Sequence, residues 1–295
     1  MKLGQVFSCK EGRFNVNADG EFYLCLVRGK VTKTIGKVKV GDFVKIDENN
    51  LTIEEIMPRK NDLIRPSVAN LDNLLICVSS LPEPDFTIID NLIIMAERNK
   101  VNPIIVITKD DLGQDKLTKR LKENYSALNI KIIVTSAKQD KTSSLTSLLE
   151  NKTSAFAGSS GVGKSSLINS LIKTNIKTSE LSGIGRGKNT TTSSQIYLIG
   201  NARVLDTPGF SSLTHFAKTP EEFLDLYPDI AKFKTGCRYK TCNHLDKSPD
   251  DCAVIRALEE NEICRERFDR FIKGYKLLTG RAQKFHKIHK KEEKK

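Results

Sequence analysis

The polar and apolar positions change rhythm twice along this chain. Up to about residue 60, apolar residues alternate or cluster in short runs: Gln5-Val-Phe-Ser-Cys9, Arg13-Phe-Asn-Val16, Glu21-Phe-Tyr-Leu-Cys-Leu-Val27, then 38–46 and 51–56. Turn residues separate them at Ala18-Asp-Gly20 and Asp47-Glu-Asn-Asn50. Five short strands in so few residues predict a small barrel of the OB type, an architecture that often binds RNA. A plain packing domain fits the same pattern, because this segment is not strongly basic.

The stretch 58–66 reads as a linker, and beyond it strands alternate with helices. Strands are expected at 74–78, 103–107, 131–134, 153–157, 195–199 and 202–205. Helices are expected at 85–99, 114–128, near 145–149, and from Lys164 to Ile172. This is an α/β sandwich with a mostly parallel sheet. From Pro220 the pattern turns helical, and a Cys/His-rich loop interrupts it. One long amphipathic helix is expected over about 253–278, with Val254, Leu258, Ile263, Phe268, Phe271 and Tyr275 on its apolar stripe. Three domains follow: 1–66, 67–218 and 219–295.

Composition narrows the setting. No apolar run approaches the roughly 20 residues of a membrane span, and the N-terminus shows no apolar signal-peptide core. A cytoplasmic protein is expected, whose seven cysteines serve as thiols or metal ligands rather than disulfides. The net charge of +12 points to an anionic partner. It is concentrated at one end, where ten Lys/Arg from Arg270 to Lys295 face only Glu292 and Glu293. Such a tail is either an RNA-contacting arm or a solubilising end.

The strongest chemical signal is Gly158-Ser159-Ser160-Gly161-Val162-Gly163-Lys164-Ser165, followed by Ser166. It fits the phosphate-binding pattern G-x-x-x-x-G-K-[ST] at every fixed position. Glycines let successive N–H groups point at phosphate oxygens, Lys164 reaches the β/γ-phosphates, and the Ser165 hydroxyl holds Mg²⁺. The strand before and the helix after it supply the required context. Downstream, Asp206-Thr-Pro-Gly209 ends an apolar strand. There the carboxylate organises Mg²⁺ and the Gly209 N–H senses a γ-phosphate. Between the two, the threonines after Asn189 offer a second Mg²⁺ ligand, Thr191 being favoured and Thr190 the other candidate.

Upstream, Thr108-Lys109-Asp110-Asp111 resembles the Asn-Lys-x-Asp element of GTPases, and Ser136-Ala137-Lys138 its companion loop. In that element the terminal carboxylate, here Asp111, accepts both guanine N1–H and N2–H, and the lysine stem covers the base. Thr108 in place of Asn is expected to make a weaker contact near guanine N7. In ordinary GTPases these two elements come last, whereas here they come first. With the permuted order, the N-terminal barrel and the Cys/His loop, the chain resembles the circularly permuted ribosome small subunit-dependent GTPase A (RsgA/YjeQ/YloQ) family over essentially its full length.

The Cys/His loop reads Cys237-x₄-Cys242-x-His244-x₇-Cys252, three thiolates and an imidazole suited to tetrahedral Zn²⁺. Four protein ligands leave no open position, so the zinc is expected to be structural, as in the family. Cys9, Cys25, Cys77 and Cys264 read as small core residues. Phe210 follows Gly209, where Ras-type enzymes place a water-positioning Gln soon after. Slow intrinsic hydrolysis is therefore expected, completed by a partner, with Lys164, Asn189 and Thr191 as the catalytic set. Many family members have His at the position of Asn189, and Asn orients a water without accepting its proton.

The resemblance implies a cytoplasmic, monomeric GTPase that binds the small ribosomal subunit and its rRNA during late maturation. It would use GTP/GDP, Mg²⁺ and one Zn²⁺, and GTP hydrolysis would time its release, with other assembly factors as further partners. The alternative is a ribosome-assembly binding module whose nucleotide site barely turns over. A small-substrate P-loop kinase is disfavoured by Asp111 and by Ser136-Ala137-Lys138.

Overall fold

The computed structural model describes residues 1–27, 37–64, 66–138, 142–176, 194–206, 217, 219–240, 242–245 and 247–292, with backbone alone at 174–176, 206 and 279–292. The expected sites Asn189, Thr190, Thr191, Gly209 and Phe210 lie outside these residues.

The N-terminal segment is a closed barrel of β1 (Lys2–Lys10), β2 (Arg13–Ala18), β3 (Glu21–Val27), β4 (Phe43–Asp47) and β5 (Thr52–Ile56). Its order is β1-β2-β3-β5-β4, and β4 closes on β1 through Lys2↔Ile46 to Gln5↔Phe43. Period-two alternation turns Val6, Val16, Val44, Ile46 and Ile53 inward, all fully buried. The expected fourth strand starts late. Gly41 adopts φ 93, and a Cβ there would stand 2.1 Å from the Ala69 carbonyl oxygen. The chain must turn at that point before pairing begins.

The stretch 58–66, expected to be a linker, is instead packed structure. Arg59 donates to both carboxylate oxygens of buried Asp42, Nε to Oδ1 at 2.7 Å and Nη2 to Oδ2 at 2.8 Å. The buried Asn61 side chain donates to the Leu71 carbonyl and accepts from the Leu71 N–H. A two-residue pairing of β6 (Asp62–Leu63) with β7 (Val68–Ala69) completes the connection. Composition alone read as loose what paired polar side chains hold firm.

The sheet that follows uses β8 (Asn73–Val78), β9 (Asn102–Ile107), β10 (Lys131–Val134), β11 (Thr153–Ala157), β12 (Gln195–Ile199) and β13 (Ala202–Asp206). Its spatial order is β10-β9-β8-β11-β13-β12; the first five are parallel, and β12 runs antiparallel to β13. β8 is buried at all six positions, as a strand covered on both faces must be. Its helices include α1 (Phe86–Arg98), α3 (Ser143–Leu149) and α4 (Lys164–Ile176), while α2 (Asp115–Tyr125) has a different allegiance. The expected helix 85–99 loses its two end residues to caps: the Asp85 carboxylate accepts from Thr87 N–H, and Asn99 closes the C-terminus. Leu75, Val106, Phe156, Leu171 and Val204 belong to the core under the sheet. β8 stands at the centre of the five parallel strands, with β11 beside it.

Two compact units emerge. Met1–Gln114 with Lys131–Leu213 form one, and Asp115–Ile130 with Thr214–Lys295 form the other. The second contains α5 (Pro220–Asp225), α6 (Pro228–Ala231), α7 (Ala253–Glu259) and α8 (Arg265–Glu292), together with α2. The single helix expected over 253–278 is therefore two. Asn261 takes the left-handed conformation (φ 59), the Glu262 N–H returns to Ala257 O at 2.8 Å and the Asn261 N–H to Leu258 O. That double bond closes α7 as a Schellman cap. Phe223, Tyr227, Phe268, Phe271 and Tyr275 form an aromatic core, with ring centroids 5.2 Å apart for Tyr227–Phe271. α2 is fastened to α8 by Arg120–Glu266, Asn124–Glu266 and Arg270–Asn124 hydrogen bonds. No helix among the described residues is long and apolar enough to cross a membrane.

Candidate functional site

The C-terminal ends of β8, β9, β10, β11 and β13 share one edge of the sheet, which gathers the expected motifs although they are scattered in sequence. After β11 the chain turns at Gly158 with φ 129, and a Cβ there would stand 2.3 Å from the Cys77 carbonyl oxygen of β8. Only glycine fits that approach. Gly161 and Gly163 also have positive φ. Ser160, Gly161, Ser165 and Ser166 are exposed, Ser159 and Gly163 are half-buried, and Val162 is buried as the loop's anchor. The first helical bond of α4 runs from Leu167 N–H to Gly163 O. The N–H groups before it precede the helical ladder, the part of a helix that anion sites use. The Lys164 ammonium donates to the Gly158 and Ser159 carbonyls at 2.8 and 2.7 Å, which places it at the mouth of the loop.

Asp206 ends β13 in register with Phe156 of β11, two residues before Gly158. Its backbone therefore stands beside the start of the loop.

After β9, Lys109 takes the left-handed conformation (φ 56) and leads into a short 3₁₀ turn, Asp110–Leu112. Its ammonium donates to Leu81 O and Gly161 O, both at 2.7 Å, so its stem spans from the turn after β9 to the glycine-rich loop. Asp111 Oδ1 accepts from the Ser136 hydroxyl at 2.8 Å, and Oδ2 lies 3.2 Å from the Lys138 ammonium. Ser136 also accepts from Lys138 N–H, which shapes the turn through half-buried Ala137. The Ser136 hydroxyl above all, followed by Lys138, holds the Asp111 carboxyl below the usual carboxylate range, against a smaller opposing effect of burial. An ionised acceptor with two oxygens stands ready beside the phosphate loop.

Thr108 is the residue expected to make a weaker contact near guanine N7. It is buried, and its hydroxyl is turned to the carbonyls of Val162 and Val78. It ties the end of β9 to β8 and to the loop after β11. Sequence reading also passed over the loop after β8 and Gln114. The Ser79 hydroxyl donates to Leu81 O. Gln114 is 2% exposed and bridges Ser80 N–H to Lys109 O. Their one visible signal was position at the same sheet edge.

In the second unit, the ligand atoms of Cys237, Cys242, His244 and Cys252 all lie within 4.8 Å of one another. Cys237 Sγ is 3.9 Å from Cys252 Sγ and 3.6 Å from His244 Nδ1, and His244 Nδ1 is 3.4 Å from Cys252 Sγ. Tetrahedral zinc bonds to sulfur and nitrogen imply edges of about 3.8 Å for S···S and about 3.6 Å for S···N. The three edges among Cys237, His244 and Cys252 have those dimensions. His244 is buried in a left-handed turn (φ 57), and burial lowers its pKa, favouring the neutral ring that offers a lone pair. The remaining cysteines follow expectation in part: Cys25 and Cys77 are buried, Cys9 and Cys264 half-buried.

Comparison with known proteins agrees with this geometry. The family model described as RsgA GTPase matches residues 56–216. The small ribosomal subunit biogenesis GTPase RsgA 2 of Listeria monocytogenes is 36% identical, over 97% of this chain and 100% of the relative. The small ribosomal subunit biogenesis GTPase RsgA of Streptococcus pneumoniae is 33% identical over 98% of each. Among solved structures, YjeQ from Thermotoga maritima superposes with a TM-score of 0.78 at 34% identity, covering 95% of this chain and 99% of that one. YloQ, described as a circularly permuted GTPase, gives 0.74 at 30% identity, with 95% and 96% covered.

Proposed function

We propose, from the premise that this chain belongs to the RsgA GTPase family, that it binds GTP at the β11–α4 loop, hydrolyses it to GDP and phosphate, and acts in maturation of the small ribosomal subunit. The observation that carries the guanine reading is the Asp111 carboxylate held by Ser136 and Lys138 beside a phosphate loop that Lys109 touches. Adenine lacks the paired N1–H and exocyclic donors that such a carboxylate accepts, so the same geometry selects against ATP.

Each element has one task in this reading. The loop Gly158–Ser166 cradles the phosphates, and Lys164 offsets the charge that spreads over the β/γ-oxygens as the bond to the γ-phosphoryl lengthens. Ser165 and Thr191 would hold Mg²⁺, with Asp206 organising it, and the ion would supply charge neutralisation between phosphates. Gly209 would sense the γ-phosphate. Asn189 would orient the attacking water. Cys237, Cys242, His244 and Cys252 would hold one structural Zn²⁺ with no open position. We take residues 1–66 as the RNA-binding barrel, 67–218 as the GTPase domain and 219–295 as the zinc-bearing helical domain, its basic end contacting rRNA. Relatives named for small-subunit biogenesis support that partner and a cytoplasmic setting, and we take the protein to act as a monomer.

GTP turnover with and without purified small subunits, using large subunits as control, tests the reading. Stimulation by small subunits alone is expected. Turnover that stays near zero with either subunit would favour the binding-module alternative.

A further inference from the structure

We propose that Gln114 is a positioning residue for guanine recognition, a bracket that sets the Lys109–Asp111 turn against the loop after β8; the proposal rests on the assignment of Asp111 as the base-reading carboxylate.

Three observations carry it. First, Lys109 adopts φ 56 and ψ 45, a left-handed conformation that is unfavourable for a non-glycine residue and persists only when its surroundings impose it. Second, the imposing contacts converge on its carbonyl. Lys109 O accepts from Leu112 N–H at 2.9 Å and from Gln114 Nε2 at 2.9 Å. The other end of the same amide accepts the Ser80 N–H at 3.0 Å. Third, Gln114 is 2% exposed, so both bonds are shielded from competing water.

The bracket closes a small circuit. Gln114 joins Ser80 to Lys109 through the backbone, and the Lys109 ammonium returns to Leu81 O, one residue beyond Ser80. Asp111 lies between Lys109 and Gln114 in the chain, inside the segment whose two ends the circuit fixes. Gln114 is also the last residue of the first unit, and from Asp115 the chain belongs to the second. It therefore anchors the turn where the chain departs. Without the amide, Ser80 N–H loses its acceptor, Lys109 O keeps one donor, and the Asp111 carboxylate loses the register that lets both oxygens meet one base edge.

The test compares GDP with inosine diphosphate, which lacks the exocyclic amine and so reports the second of the two hydrogen bonds to Asp111. Dissociation constants are measured on the full chain for wild type, Gln114→Leu, Gln114→Glu and Asp111→Ala. Leucine keeps the buried volume and removes both bonds; glutamate keeps the acceptor for Ser80 N–H and sets an oxygen against Lys109 O. Both Gln114 variants are expected to bind GDP about tenfold more weakly, the scale of a lost buried hydrogen bond. Inosine diphosphate should weaken less, so the preference for GDP shrinks, a change that general loosening of the fold would not produce. A preference lost in Asp111→Ala but intact in both Gln114 variants overturns the proposal alone. A preference intact in Asp111→Ala removes the base-reading assignment beneath it. Should neither Gln114 variant fold, amide exchange on the wild type decides. Ser80 N–H should exchange slowly and slow further with GDP, and exchange at the rate of an open amide in both states overturns the bracket.

Discussion

Ser136 Oγ donates to Asp111 Oδ1 across 2.8 Å, joining two loops whose residues are 25 positions apart. The bond orients the carboxylate so that its faces are not equivalent. With one oxygen tied to Ser136 and the other near Lys138, the side chain has little freedom to rotate away from a base. Asp111→Asn replaces one acceptor with a donor and should relax the guanine preference. Competition binding of GTP against ATP checks this, and an unchanged affinity ratio would be incompatible with base reading. Ser136→Ala should weaken GTP binding about tenfold, the scale of a hydrogen bond to a charged group.

A pH series reads the same carboxylate. Its folded-state pKa is depressed, chiefly by Ser136 and then by Lys138. A depressed acid keeps its charge at neutral pH and loses it only as pH falls through the lowered value. GDP affinity relative to inosine diphosphate should therefore stay level from about pH 8 to about pH 5 and fall only below the usual Asp value of about 4. Ser136→Ala should move that fall to higher pH. An unmoved midpoint would show that Ser136 does not set the charge.

Zinc removal separates the two units. If Cys237, Cys242, His244 and Cys252 hold one ion, purified protein should contain about one zinc per chain. Chelation should lower the melting transition of the helical unit by on the order of 10 °C, since loss of a structural ion removes several kcal/mol. Nucleotide binding at the β11–α4 loop should persist. Zinc-free protein with the same transition would leave the cluster as four packed side chains.

The motifs were legible because each is contiguous and its chemistry is local. Gly158 to Ser165 carries its own turn geometry, and Asp85 and Asn99 are caps that sequence can place within a residue. What escaped is what depends on distant partners. Gln114 turns inward because Ser80, on the loop after β8 and 34 positions away, offers its N–H to the side-chain amide. Thr108 turned inward because Val162 offers a carbonyl that only the folded sheet brings near. The break at Asn261 was hidden because Ile263 and Phe268 continue the apolar pattern past it, although the backbone has already left the helix.

Asn189 is the residue most exposed to a catalytic test. Phe210 cannot hydrogen-bond a water, so Asn189 is the polar group the motif offers for that task. Small-subunit-stimulated kcat should drop about 10²-fold in Asn189→Ala, the lower end of what positioned polar groups contribute, with KM for GTP little changed. Equal stimulated rates would remove Asn189 from the mechanism and leave the water to a group on the ribosome.

Arg267 is 1% exposed, an uncommon place for a guanidinium, and Asp229 explains it. Nε donates to Oδ2 at 2.6 Å and Nη2 to Oδ1 at 3.1 Å, while the guanidinium carbon lies 4.9 Å from the Tyr227 ring centre and 5.4 Å from that of Tyr125. Through Tyr125 the pair also reaches the end of α2, whose other ties to α8 are exposed or half-buried and individually weak. Breaking a buried pair strands a charge, so Arg267→Met should cost about 3–5 kcal/mol in denaturant unfolding. Adding Asp229→Leu should recover much of that loss, because the stranded carboxylate is gone and apolar packing replaces it. Simple addition of the two single losses would mean that each side chain stabilises the unit through other neighbours. A recovery would show that the two side chains act as one coupled pair, and that the single loss came from the stranded charge.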